Sequence, residues 1–211
     1  MTKRRDFLAK MSVAAAAMAI DADELRAAST SLTSSSAWDT SWIDRLESAR
    51  YRVVFNGNDL SEGGPMDFAQ TFLDQYHEVH NTSDKETRPV IVFRRNGTPM
   101  AFNDAMWDKY SLGEDAKVTD PATKAPAKRN VFWSGGTSSI ESLQARGLIS
   151  LVCNVATNNI GRRIAQQRSL SVEDVQKDLR TNLVPGAIMV PSGIFGLIRA
   201  QNAGCAYMPG T

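Results

Sequence analysis

Cys153 ends an apolar run, Leu148-Ile149-Ser150-Leu151-Val152, and stands just ahead of a predicted helix carrying Arg162 and Arg163. A thiol at the N-terminal end of a helix, with cationic neighbours, ionises more readily and becomes a better nucleophile. The same position equally suits a small buried hydrophobe that closes a core strand, a common use of free cysteine. Spacing alone leaves both readings open.

The other chemistry-bearing residues cluster at comparable places. Apolar runs read as strands leave through Asn56-Gly57-Asn58-Asp59, Arg94-Arg95-Asn96-Gly97, Cys153-Asn154 and Pro191-Ser192-Gly193. In an open α/β sheet, ligands bind at the carboxyl ends of the strands, where strand exits meet helix N-termini. The candidate catalytic residue is therefore Cys153, and the candidate ligand-binding set is Asn56, Asn58, Arg94, Asn154, Arg163, Ser192 and Gly193. In this reading Arg94 and Arg163 favour the thiolate, and Asn56 and Asn154 orient the bound group.

Other patterns carry less. His77 and His80, the two histidines of the chain, stand i, i+3 near a helix end. With Glu78 or Asp84 they could hold a metal, but no complete ligand set is visible, and histidines there also complement the helix dipole. No metal and no cofactor is expected. Ser134-Gly135-Gly136 and Gly63-Gly64-Pro65 match neither a phosphate loop nor a dinucleotide fingerprint; Pro65 reads better as the opening of a helix. Ser192 lacks a nucleophile-elbow pattern and a histidine partner, which argues against hydrolase chemistry.

The elements that must position these residues alternate. Strands are predicted at 51–55, 89–93, 148–152, 187–190 and 206–208, and helices at 66–80, 103–110, 138–146, 158–168, 172–183 and 194–203. Phe68, Ala69, Phe72, Leu73 and Tyr76 are expected on the buried face of the first of these helices. Continuous apolar strands alternating with helices predict a three-layer α/β/α fold on a mainly parallel sheet of about five strands. The polar stretch 111–130, with Pro121 and Pro126, is expected as an exposed insertion. Upstream, Trp38, Trp42, Ile43 and Leu46 recur at helical spacing, with Ser36 or Asp39 as possible caps. They predict a short helix laid against the domain, or alternatively an aromatic anchor for a partner or membrane.

Cys153 and Cys205 are not expected to pair. One closes a strand and the other opens one, so in a parallel sheet they occupy opposite edges. A five-residue strand spans roughly 17 Å, whereas a disulfide needs Cα atoms within about 7 Å.

The first nineteen residues read as an export address: Arg4-Arg5, then Phe7-Leu8, then a short Ala-rich run ending in Ala17-Met18-Ala19. This order resembles a twin-arginine signal peptide over residues 1–19, with an amphipathic cytosolic helix as the alternative. The run is shorter than the ~20 apolar residues of a membrane span. Residues 20–48 then read as a Ser-rich linker and short helix, and 49–211 as the domain. This implies a periplasmic protein exported folded by the twin-arginine translocase. The formal net charge of +1 and the lack of a basic stripe with interleaved aromatics argue against nucleic acid. Two cysteines are too few for a disulfide scaffold.

The run Gly147 to Asn154 followed by a helix looks like the cysteine-bearing strand of DsrE/DsrF-like proteins. The ending Val190-Pro191-Ser192-Gly193-Ile194, with Leu197 to Gln201 and Gly204-Cys205-Ala206-Tyr207, is similar to that family's last helix and strand, and Tyr51 to Asn56 to its first strand. The resemblance covers about Arg50 to Pro209 outside the insertion. It implies a homo-oligomer (trimer or hexamer) and, as in sulfur-relay members, a persulfide on the residue at the Cys153 position, with a protein sulfur donor or acceptor as partner. Relay members are mostly cytoplasmic, so the export signal is a departure. The alternative is a non-catalytic small-ligand-binding or oligomeric assembly module. No second thiol lies near Cys153 in sequence, which disfavours a self-contained dithiol oxidoreductase.

Overall fold

A computed structural model describes residues 38–210; the export signal and most of the Ser-rich linker lie outside these described residues. Five strands form one sheet: β1 (Tyr51–Gly57), β2 (Thr87–Phe93), β3 (Ile149–Cys153), β4 (Ile188–Val190) and β5 (Ala206–Pro209). Their order is β4-β3-β2-β1-β5, and every pairing is parallel. The central strands read as near-continuous apolar runs because both faces are covered. Val90, Ile91, Val92 and Phe93 are all fully buried, the signature of a parallel sheet between helical layers.

Helices cover the two faces. Helix α1 (Trp42–Glu47) precedes the sheet and α2 (Gly64–His80) joins β1 to β2. Short helices α3 (Asp104–Lys109), α4 (Leu112–Asp115) and α5 (Ile140–Ala145) lie between β2 and β3. Then α6 (Asn154–Arg168) and α7 (Val172–Thr181) join β3 to β4, and α8 (Gly193–Asn202) joins β4 to β5. One face of the sheet packs Phe55, Ile91, Phe93 and Val152 with Met66, Ala69 and Leu73 of α2 and Ile140 and Leu143 of α5. The other packs Val54, Val90, Val92, Ile149 and Leu151 with Leu197 and Ala200 of α8 and with Trp42 and Leu46 of α1. The three-layer α/β/α architecture follows.

Crossover direction explains the layers. The chain steps β1, β2, β3, β4 one way across the sheet, and α8 then carries it back past three strands to β5. Right-handed crossovers in opposite directions put their helices on opposite faces. At the adjacent exits of β3 and β4 the chain therefore turns into two different helices, α6 and α8, and a crevice opens between their N-termini.

Two local expectations need correction. Phe68 is 42% exposed, because the buried face of α2 runs through Met66, Ala69 and Leu73 and leaves position 68 at its margin. Stretch 111–130 is not simply an exposed loop. Leu112 and Ala127 are buried in a third cluster with Trp107, Tyr110, Ile160, Ile164 and Leu179. Asp120 pins its turn: its carboxylate accepts the N–H of Ala122 at 2.8 Å and of Thr123 at 3.3 Å, and the Arg129 Nε at 2.9 Å. Those bonds, the one from Ala122 first, hold its carboxyl below the usual range against the opposing effect of burial. Asp39 takes the N–H and hydroxyl of Ser41 at 2.9 and 2.6 Å, while Ser41 itself occupies the N-cap of α1.

Candidate functional site

The crevice between α6 and α8 is an open cleft of about 550 Å³ at the carboxyl edge of the sheet. Five of the residues singled out by sequence line it: Cys153, Arg94, Arg163, Ser192 and Gly193. Each arrives by its own route.

Cys153 is both the last residue of β3 and the N-cap of α6. Its Sγ accepts the backbone N–H of Ala156 at 3.3 Å, and the Thr157 hydroxyl donates to its carbonyl at 3.0 Å. The residue is 5% exposed and belongs to the lining of the cleft. The sulfur thus stands at the N-terminus of a 15-residue helix, where the first backbone N–H groups have no intrahelical partner.

Arg94 leaves β2 and lies across the start of α8. A Cβ built on Gly193 would come within 2.9 Å of the Arg94 Cβ and Cδ, so only glycine lets the arginine pass so close. Arg94 Nη1 donates to Asn56 Oδ1 at 3.3 Å, and Asn56 Nδ2 donates to the Tyr207 hydroxyl at 3.1 Å. A polar relay thus ties β2 to β1 and β5. Ser192 caps α8 by accepting the Phe195 N–H at 3.0 Å.

The remaining candidates stand elsewhere. Asn56 braces Arg94 from outside the cleft lining. Asn58 folds back through its own N–H onto the Asn56 carbonyl at 2.8 Å and does not line the cleft. The Asn154 side-chain oxygen is buried without a hydrogen-bond partner among the described residues, and Asn154 is not part of the lining.

Arg95 and Asn96, from the β2 exit, and Val155, Ala156, Asn159, Ile160 and Ile194 complete the lining; none of the seven is in the candidate set drawn from the sequence. Asn159 is one helical turn before Arg163, so the i, i+4 spacing carried that signal. Arg95 is exposed and holds a left-handed backbone, φ 49°, a conformation non-glycine residues adopt sparingly and often near functional sites.

The histidines sit at the far end of α2. His77 Nε2 is 3.1 Å from Asp84 Oδ1, and His80 stacks on Tyr51 with ring centroids 5.3 Å apart. Among the described residues no group of three or more His, Cys, Asp or Glu is placed to hold a metal. No helix among them is long and apolar enough to cross a membrane. Cys153 and Cys205 are both free.

Fold and site together define a three-layer α/β/α domain whose parallel sheet presents one thiol in an arginine-lined cleft. No protein-family model matches this chain, and neither does any curated protein. Among solved structures it is similar to a protein of unknown function, MTH1491 from Methanobacterium thermoautotrophicum. That likeness has 14% identity and a TM-score of 0.41, and covers 75% of this chain and 98% of the other.

Proposed function

We propose that this chain is an exported, DsrE/DsrF-like sulfur-handling protein in which Cys153 carries sulfur as a persulfide. The observation that carries the reading is the placement of the Cys153 sulfur. It sits at the N-terminus of α6, in a cleft lined by Arg94, Arg95 and Arg163. The Cys153 thiolate attacks the outer sulfur of a donor persulfide. A new sulfur–sulfur bond forms on Cys153, the donor's sulfur–sulfur bond breaks, and the donor leaves as a thiolate with no net oxidation. The lining holds no second thiol, which suits a carrier that passes sulfur to a partner protein rather than one that resolves its own disulfide.

Arg4-Arg5 with Phe7-Leu8 supports export through the twin-arginine translocase to the periplasm. Val155, Ile194 and Ile198, exposed by 51%, 60% and 51% beside the cleft, support a homo-oligomer or a docked sulfur donor or acceptor. One observation favours a second reading. The Ala156 N–H bond to Sγ also makes Cys153 a good structural cap, in which case the cleft is a binding pocket and the chain a ligand-binding or assembly module.

The test is to treat the protein with inorganic polysulfide, remove excess reagent and count cyanide-reactive sulfur. The carrier reading expects about one equivalent per chain, lost in Cys153→Ser. Equal amounts in both proteins, or none in either, would leave the binding module.

A further inference from the structure

The cleft carries more positive charge than a single thiolate at Cys153 would balance. Three arginines line it, Arg94, Arg95 and Arg163, and no Asp or Glu does. None of the three forms an ion pair among the described residues, and Arg94 has only the neutral Asn56 as a partner. Asp59 and Asp115 lie in an adjoining recess with Arg95 and Arg163. Neither carboxylate comes within ion-pair distance of them; Asp59 instead accepts the Leu60 N–H at 2.7 Å.

The arginines are also built in against opposing terms. Arg94 is laid on the N-terminal turn of α8 through contact with Gly193, where the helix dipole disfavours a cation. Arg95 is held in a left-handed backbone, which costs conformational energy. Such a cluster is balanced when a small anion sits between the guanidinium groups and the helix start, because charge-assisted N–H bonds to an oxyanion are short and strong.

We infer that this cleft is a binding site for a tetrahedral oxyanion, free or as the anionic group of a small molecule, held by Arg94, Arg95 and Arg163. The site does not depend on Cys153 reacting. It stands if the chain is a sulfur carrier, where it would seat an anionic donor or product group, and equally if it is a binding module.

The probe is sulfate, titrated against the full chain at constant ionic strength with chloride as the balancing salt, read by thermal melting and calorimetry. Wild type and Cys153→Ser are both expected to show a saturable sulfate-specific rise in melting temperature. Arg163→Gln, on the exposed surface of α6, and Arg95→Gln should each weaken affinity about tenfold or more. Circular dichroism would verify that both variants fold. A phosphate ester that binds more tightly than sulfate, with the same arginine dependence, identifies the oxyanion as the head of a larger ligand; equal affinities identify a free ion. Absence of saturable binding in wild type, or binding unchanged by both arginine substitutions, overturns the site. Loss of polysulfide loading with sulfate binding intact overturns the carrier reading alone.

Discussion

The backbone N–H of Ala156 donates to the Sγ of Cys153 at 3.3 Å, so one sulfur atom ends a core strand, caps a helix and faces a cleft. A serine hydroxyl accepts the same bond and keeps the cap, whereas alanine leaves the N–H without it. Cys153→Ala is therefore expected to be about 1 kcal/mol less stable than Cys153→Ser, measured by urea denaturation, while neither loads sulfur. Equal stability of the two variants would mean that the cap contributes nothing.

Gly97 closes the β2 exit against β1. A Cβ there would collide with the Gly57 carbonyl oxygen and lie 3.0 Å from that of Asp59. These are backbone atoms at the end of a paired strand and have little room to yield. Gly97→Ala should cost about 2–3 kcal/mol and reduce sulfate affinity, since Arg94 and Arg95 ride on the same turn; a neutral substitution would show the turn to be looser than its geometry.

Cys205 lies at the opposite end of the sheet from Cys153, and burial pushes its thiol up to about 11, with Arg52 opposing in part. Its folded value is above that of a free thiol, so the stabilisation is fully present below the free value and is lost as pH rises toward about 11. The unfolding free energy should fall by on the order of 2 kcal/mol between about pH 9 and about pH 11. The fall should flatten in Cys205→Ala, which starts from lower stability at neutral pH. An unchanged slope would assign it to other groups.

The strands were the most legible part of this chain, because runs such as Pro89 to Phe93 are buried on both faces and show unbroken apolar character. The strand exits then located Cys153, Arg94, Ser192 and Gly193 without side-chain detail. Less legible was anything that depends on tertiary contact. Leu112 and Ala127 look like parts of a polar loop until Trp107 and Ile164 close over them. Asn56 reads as a ligand residue at a strand exit, yet its amide is spent on Arg94 and Tyr207. The role of Arg95 rests on a backbone angle that residue type does not announce.

Whether Cys153 accepts sulfur, as proposed, is read from the intact mass of the purified protein after exposure to polysulfide, before and after reductant. A gain of about 32 Da, one sulfur atom, that reductant removes, that maps to the peptide of Cys153 rather than Cys205 and that is missing from Cys153→Ser is the predicted result. A thiol that stays unmodified, or a gain that persists in Cys153→Ser, would contradict it.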